Sequence, residues 1–194
     1  MLRIVVMSLL SGFLLAAAPQ ALAAPIVFTA QLTGDAERPT PIATSGNGST
    51  IVTIDPDAHT LRVQITFADL NGITTASHIH AGIDPATQTA PVVTRTPSFP
   101  DFPEGVMSGS YDMTFDTLDP ATYNSNFVNP LGSAEAAEAA LLALMLAGEA
   151  YVNVHSTVAP SGEIRGNLVR VPEPAALALL LAAVGGLAAV RRRR

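Results

Sequence analysis

Residues 49–67 read STIVTIDPDAHTLRVQITF, and this stretch decides the fold. In TLRVQITF (60–67), Leu61, Val63, Ile65 and Phe67 alternate with Arg62, Gln64 and Thr66. A period of two places the apolar set on one face and the polar set on the other, the pattern of an antiparallel strand with one buried face. STIVTID (49–55) has the same character. The segment between them, Asp55-Pro56-Asp57-Ala58-His59, is rich in turn formers, so the two runs are expected to close as a hairpin.

Working outward, the same reading expects strands in IVFTAQL (26–32), ASHIH (76–80), PVVT (91–94), GVMSGSYDMTF (105–115), EAYVNVHS (149–156) and GEIRGNLV (162–169). Gly, Pro, Asn and Asp punctuate the gaps. Many short strands between such turns imply a mainly β domain, an antiparallel Greek-key β-sandwich. One segment departs from this pattern. SAEAAEAALLALMLAG (133–148) predicts an inserted helix near 134–147, with Ser133 as its N-cap, Glu135 in the first turn and Gly148 as its stop. Leu141, Leu142, Leu144, Met145 and Leu146 supply its packing half, while Glu135 and Glu138 are expected to be solvated. In RTPSFPDFPEG (95–105) three prolines interrupt any ladder, and Phe99 and Phe102 are expected to anchor the loop as plugs.

The two ends carry address information. MLRIVVMSLLSGFLLAAAPQALAAP has Arg3, an apolar core and Ala21-Leu22-Ala23, the three-part layout of a secretory signal cleaved after Ala23. At the other end, VPEPAALALLLAAVGGLAAVRRRR places sixteen uncharged residues, 175–190, before four arginines. That run is a short transmembrane helix at the lower limit of span length, with the arginines on the cytoplasmic side. Three units follow: a signal peptide (1–23), a mature domain (24–170) and a C-terminal segment (171–194).

The mature domain is acidic. Arg38, Arg62, Arg95, Arg165 and Arg170 face fifteen Asp and Glu, so its charge is near −10 against −6 for the whole chain. The sequence has no lysine and no basic stripe, which argues against nucleic acid as a partner. It has no cysteine either, which excludes disulfides and thiolate metal sites. No G-x-S-x-G occurs, and His155-Ser156 are adjacent on a strand and therefore point to opposite faces, so nucleophilic catalysis finds no support. Asp55 and Asp57 are too close to form a calcium loop and read as turn acids.

Histidine is where chemistry concentrates. His78 and His80 are two apart on a strand and leave the same face, where two imidazoles can chelate one ion. In YVNVHS, His155 shares a face with Tyr151 and Asn153. If the two strands are neighbours, three imidazoles converge, a donor set suited to copper(II) or zinc. The residues leave a second reading open, in which His78, His80 and His155 join Tyr151, Asn153 and Glu163 in a hydrogen-bonded network that holds no ion.

Three resemblances bear on these readings. Pro172-Glu173-Pro174, a short apolar helix and a terminal arginine cluster resemble the bacterial PEP-CTERM sorting signal. That resemblance implies processing by a membrane exosortase and delivery to the cell surface or extracellular matrix, after export by the Sec translocon, cleavage by signal peptidase and a transient stay in the inner membrane. FTAQLTGDAERPTPIATSGNGSTIVTID, LRVQITFADLNGITTASHIHAG and AGEAYVNVHSTVAPSGEIRGNLV together resemble the CHRD domain, first described in chordin, over roughly residues 28–169. That family has no settled biochemical activity. The H-x-H pair and the later V-x-H are also similar to the copper ligands of copper–zinc superoxide dismutases, onto which His78, His80 and His155 map by motif, with Arg165 a loose match to an arginine bordering the copper. A bridging histidine, a zinc loop and a cysteine pair are missing.

The sandwich is accordingly expected to be immunoglobulin-like or superoxide-dismutase-like. The expected role is a non-enzymatic module of the cell surface or matrix, with extracellular polysaccharide or surface proteins as partners. The alternative is a mononuclear copper or zinc protein, redox-active in one version, with His78, His80 and His155 as ligands.

Overall fold

The structure is a computed structural model that describes residues 24–84 and 87–172. The signal peptide with Ala23, Glu173 and Pro174 of the sorting signal, and the helix expected at 175–190 lie outside the described residues. Pro172 is described and is exposed. Among the described residues no helix is long and apolar enough to cross a membrane.

The hairpin forms as its pattern dictates. Strands β2 (Asn47–Asp55) and β3 (Thr60–Ala68) pair in register from Asn47 opposite Ala68 to Asp55 opposite Thr60. In the connecting turn the Asp55 carboxylate accepts from the N–H groups of Asp57 and Ala58, at 3.1 and 3.0 Å. His59 completes the turn in the left-handed region, at φ 53°. The apolar face (Val52, Ile54, Leu61, Val63, Ile65 and Phe67) is buried in the core.

Around this hairpin lie β1 (Ile26–Thr33), β4 (Thr74–Ala81), β5 (Gly109–Asp116), β6 (Ala150–Ser156), β7 (Ile164–Asn167) and β8 (Val169–Arg170). All pairings are antiparallel, and the strands follow one hydrogen-bonded path, β4-β6-β7-β1-β2-β3-β5, with β8 beside β1. Strand β1 is the hinge of this path. It pairs with β2 along its whole length, but meets β7 only through Thr33 and Arg165, and β8 through Phe28 and Thr29. The β4-β6-β7 half can therefore turn over the rest. Ile79, Val152, Val154 and Ile164 from that half share one apolar core with Phe28, Val52, Leu61 and Phe67 from the other. The expected antiparallel, mainly β architecture is present as a single curled eight-stranded sheet.

The free edge of β4 is covered by residues 91–107. Val93 N–H donates to Ile79 O at 3.0 Å, Phe99 N–H to Ser77 O at 3.2 Å, and Gly105 N–H to Thr74 O at 2.9 Å. Two expected strands shorten for this reason. PVVT (91–94) makes only single bridges, from Val92 to His80 and from Thr94 to Tyr123. The segment 105–107 bonds across to Leu70 and Thr74, so β5 begins at Gly109. Phe99 and Phe102 are buried plugs, as expected.

Two helices bridge β5 and β6. Helix α1 (Ser125–Leu131), capped by the Asn124 side chain, escapes the sequence reading because Pro130 interrupts its signal. Helix α2 (Ala134–Leu146) has the expected cap, with Ser133 Oγ accepting from Ala136 N–H at 3.1 Å. Its buried side is Ala137, Glu138, Leu141 and Met145. Glu138 corrects the expectation of a solvated acid. It is buried, and its two oxygens accept from Thr117 Oγ1 at 2.5 Å and pair with His59 Nδ1 at 2.9 Å, tying α2 to the β2–β3 turn.

Helix α2 is thus held by the stripe at Leu141 and Met145 and gains little from its exposed end. Leu141→Ala is expected to cost ~2–5 kcal/mol in urea unfolding, the usual range for a buried leucine. Leu146→Ala, at an exposed position, is expected to stay within ~0.5 kcal/mol of wild type.

Candidate metal centre

The register of β4 against β6 decides which side chains meet. His78 lies opposite Asn153, His80 opposite Tyr151, and Ala76 opposite His155. Facing residues of an antiparallel pair share a side, and alternate residues return to it. His78, His80 and His155 therefore leave one side of the sheet together with Tyr151 and Asn153. Ile79, Val152 and Val154 leave the other side and enter the apolar core. Strand β7 extends the polar side, with Arg165 opposite Asn153 and Asn167 opposite Tyr151.

The three imidazoles converge. One ring nitrogen from each lies within 4.8 Å of the others. His78 Nδ1 is 3.2 Å from His155 Nε2, and the three ring centroids are 5.1 to 6.3 Å apart. Each ring is fixed from behind by a backbone carbonyl: Pro97 O lies 2.6 Å from His78 Nε2, Ala90 O lies 2.8 Å from His80 Nδ1, and Pro160 O lies 2.9 Å from His155 Nδ1. A carbonyl has no proton to give, so the ring nitrogen facing it carries the hydrogen. In a neutral imidazole the other nitrogen is then a bare acceptor. Those nitrogens are His78 Nδ1, His80 Nε2 and His155 Nε2, and His80 Nε2 is buried without a hydrogen-bond partner.

The rings are held neutral. Burial pushes His78 down to about 4, helped by the nearby His155 and opposed by the Pro97 carbonyl. Burial likewise pushes His80 down to about 4, against the Ala90 carbonyl. His155 shifts the same way, again through burial. Near neutral pH the 3.2 Å contact between His78 and His155 therefore sets one lone pair against another.

The donor set fits a borderline transition metal. Nitrogens bound tetrahedrally at ~2.0–2.1 Å stand ~3.3 Å apart, which the His78–His155 pair already meets. Ligating histidines characteristically donate their second N–H to a carbonyl or carboxylate, the arrangement at all three rings. Three nitrogens leave a fourth position of a tetrahedral site to be filled by another ligand.

Behind the cluster, the Tyr151 ring stacks on His80 at 4.6 Å with 9° between planes, and the Arg165 guanidinium carbon lies 3.5 Å over the Tyr151 ring. Both neighbours are too close to share one face of Tyr151, so its ring separates Arg165 from His80. Arg165 thus meets the cluster across that ring, and its charge adds a smaller contribution to the lowering of His80. Glu163 departs from the hydrogen-bonded network expected around the histidines. Its carboxylate accepts instead from Ser156 and Thr44 hydroxyls and from the N–H groups of Asn71 and Gly72. Glu37 went unnoticed in the sequence. It is a buried carboxyl over this face, and a lone acid in a polar loop carries no periodic signal to reveal it.

The model of the CHRD domain matches residues 28–168, which takes in most of β1, all of β2 to β7 and the three clustered histidines. Comparison with curated proteins and with solved structures gave no match.

Ring-proton NMR of the metal-free protein checks the electrostatics. His78 and His80 are expected to titrate near 4, whereas His59, paired with Glu138, titrates above its usual 6.5. The stability consequence has a definite sign. Between the unfolded value near 6.5 and the folded value near 4, only the unfolded chain takes up these protons. Their contribution is complete above about 6.5 and is lost as pH falls through about 4. The gap in unfolding free energy between wild type and His80→Gln should shift over that interval. Ring titration near 6.5 would contradict the burial of the cluster.

Proposed function

The chain belongs to the CHRD domain family, and from that premise and the imidazole cluster we propose that it is an exported, surface-sorted domain holding one copper(II) or zinc(II) ion on His78, His80 and His155. The observation that carries this reading is the convergence of one ring nitrogen from each histidine within 4.8 Å, each ring oriented by a backbone carbonyl. The carbonyl behind each ring turns its other nitrogen toward the neighbouring imidazoles, the orientation that a shared ion uses. Copper(II) is the stronger binder, by the ordinary order of divalent affinities for nitrogen ligands. The reading assigns no reaction to the open fourth position, and the domain acts as a non-enzymatic binding module.

The address is part of the same proposal. Residues 1–23 direct export through the Sec translocon and are removed at Ala23. The tail from Pro172-Glu173-Pro174 onward holds the precursor in the inner membrane through residues 175–190 until an exosortase-type enzyme releases it to the surface or matrix. The partners there are extracellular polysaccharide or surface proteins. The acidic domain and the missing lysines suit an exposed, soluble module and not a nucleic-acid binder.

Equilibrium dialysis of residues 24–170 against copper(II), followed by elemental analysis, tests the site. Wild type is expected to retain one ion per chain. His80→Ala removes one of three ligands and is expected to weaken binding by at least ~10-fold, the lower end of what removal of a mere supporting group costs. His59→Ala, distant from the cluster, should bind as wild type. No stoichiometric metal in wild type would end the proposal, and equal binding by His80→Ala would remove this site.

A further inference from the structure

Four buried polar side-chain atoms have no hydrogen-bond partner among the described residues: Glu37 Oε1, His80 Nε2, Asn153 Oδ1 and Arg165 Nη1. His80 belongs to the imidazole cluster. The other three belong to side chains at most 4 % exposed, on neighbouring elements of the polar side of the sheet. Asn153 and Arg165 are cross-strand partners on β6 and β7. A Cβ built on Gly162 would come within 2.3 Å of Glu37 Oε1 and 2.7 Å of Asn153 Nδ2, so both side chains close around the same point. Arg165 is the charge that most strongly favours ionised Glu37, yet no direct ion pair joins them. Leaving one such group unpaired in the interior is costly, so three on adjoining elements mark a site built for an occupant.

We propose that Glu37, Asn153 and Arg165 enclose a second, buried binding site that takes one neutral protic molecule of water's size, which is water itself in solution. The donor and acceptor inventory selects this class. Arg165 Nη1 can only donate, Asn153 Oδ1 can only accept, and the Asn153 amide is oriented by Nδ2 donating to Ser161 O at 3.4 Å. The occupant must accept from the arginine and donate to the amide. A cation is repelled by Arg165 and cannot accept from it. A carboxylate or phosphate cannot donate to Asn153 and would confront Glu37.

Burial raises the Glu37 carboxyl to about 7, against Arg165 and then Arg38, while Tyr151 is the remaining titratable group facing it. The carboxyl therefore changes between donor and acceptor near neutrality. Water can serve both forms by turning over, whereas a group that only donates or only accepts cannot. Two to four polar partners are what buried waters characteristically have, and this site offers three.

The site has a structural consequence beyond its three side chains. Glu37 belongs to the β1–β2 connection, and Gly162 to the turn between β6 and β7. A molecule bonded to Glu37, Asn153 and Arg165 ties the β1–β2 connection to β6 and β7, and the Asn153 amide in turn holds Ser161 O in the β6–β7 turn. That turn also carries Pro160, whose carbonyl fixes the His155 ring. The bound molecule thus steadies one of the three imidazoles from a distance, and it does so whether or not a metal is present.

A crystal structure of the protein prepared without metal, at a resolution that shows ordered water, tests the site separately from the metal reading. One density peak is expected within ~2.6–3.2 Å of Glu37 Oε1, Asn153 Oδ1 and Arg165 Nη1 together. An empty chamber, or Glu37 swung into direct contact with Arg165, would overturn the proposal. In solution, a cross-relaxation signal from a long-lived water to the Gly162 α-protons is expected in wild type and should vanish in Glu37→Leu. Its absence in wild type would count equally against the site.

Discussion

Three neutral imidazoles facing one another with no proton between them are the constraint around which the rest of this domain is arranged. The neutrality comes from burial, and the direction of each bare nitrogen comes from a carbonyl behind the ring. Those carbonyls belong to Ala90, Pro97 and Pro160, in the covering segment beside β4 and in the turn after β6. The irregular, proline-rich stretch 91–107 is therefore more than a connector. It closes the exposed edge of β4 and, through Pro97, sets the orientation of His78. A buried face with unpaired acceptors is costly, and binding a cation at the cluster would remove that cost.

The sheet separates two environments. Alternation along β4 and β6 sends Ile79, Val152 and Val154 into an apolar core shared by both halves of the curl. The same alternation sends histidine, tyrosine, asparagine and arginine to the opposite side, where loops bury them almost as completely. Most sheets of this kind leave their second face to solvent. Here it is a second, polar interior. The stack of His80, Tyr151 and Arg165 runs through it, with the imidazole cluster at one end and the Glu37, Asn153 and Arg165 chamber at the other.

Much of the fold was legible because period-two patterning is a local signal. Leu61, Val63, Ile65 and Phe67 announce β3 and its buried face, and Ser133 announces the start of α2. The spacing of His78 and His80 places both on one side, and His155 falls beside them once β4 and β6 pair. What local patterns do not carry is the order in which strands join, so the single hydrogen-bonded path from β4 to β5 has no signal in the sequence. Pro130 hides α1 for the same reason, since the capping by Asn124 outweighs a residue that normally ends helices. Glu138 and Glu37 are unreadable as buried groups because the side chains around them (His59 and Thr117 for Glu138, Asn153 and Arg165 for Glu37) lie far away in sequence. Only Glu138's place beside the stripe of Ala137, Leu141 and Met145 could have betrayed it.

The most direct test of the converging lone pairs is a nitrogen-15 NMR measurement of the imidazole tautomers in metal-free protein near neutral pH. His78 should carry its proton on Nε2, and His80 and His155 on Nδ1, leaving His78 Nδ1, His80 Nε2 and His155 Nε2 bare. A proton on any of those three inward nitrogens, above all a His78 Nδ1–H donating to His155, would contradict the central claim and make the cluster an internal hydrogen-bonded pair.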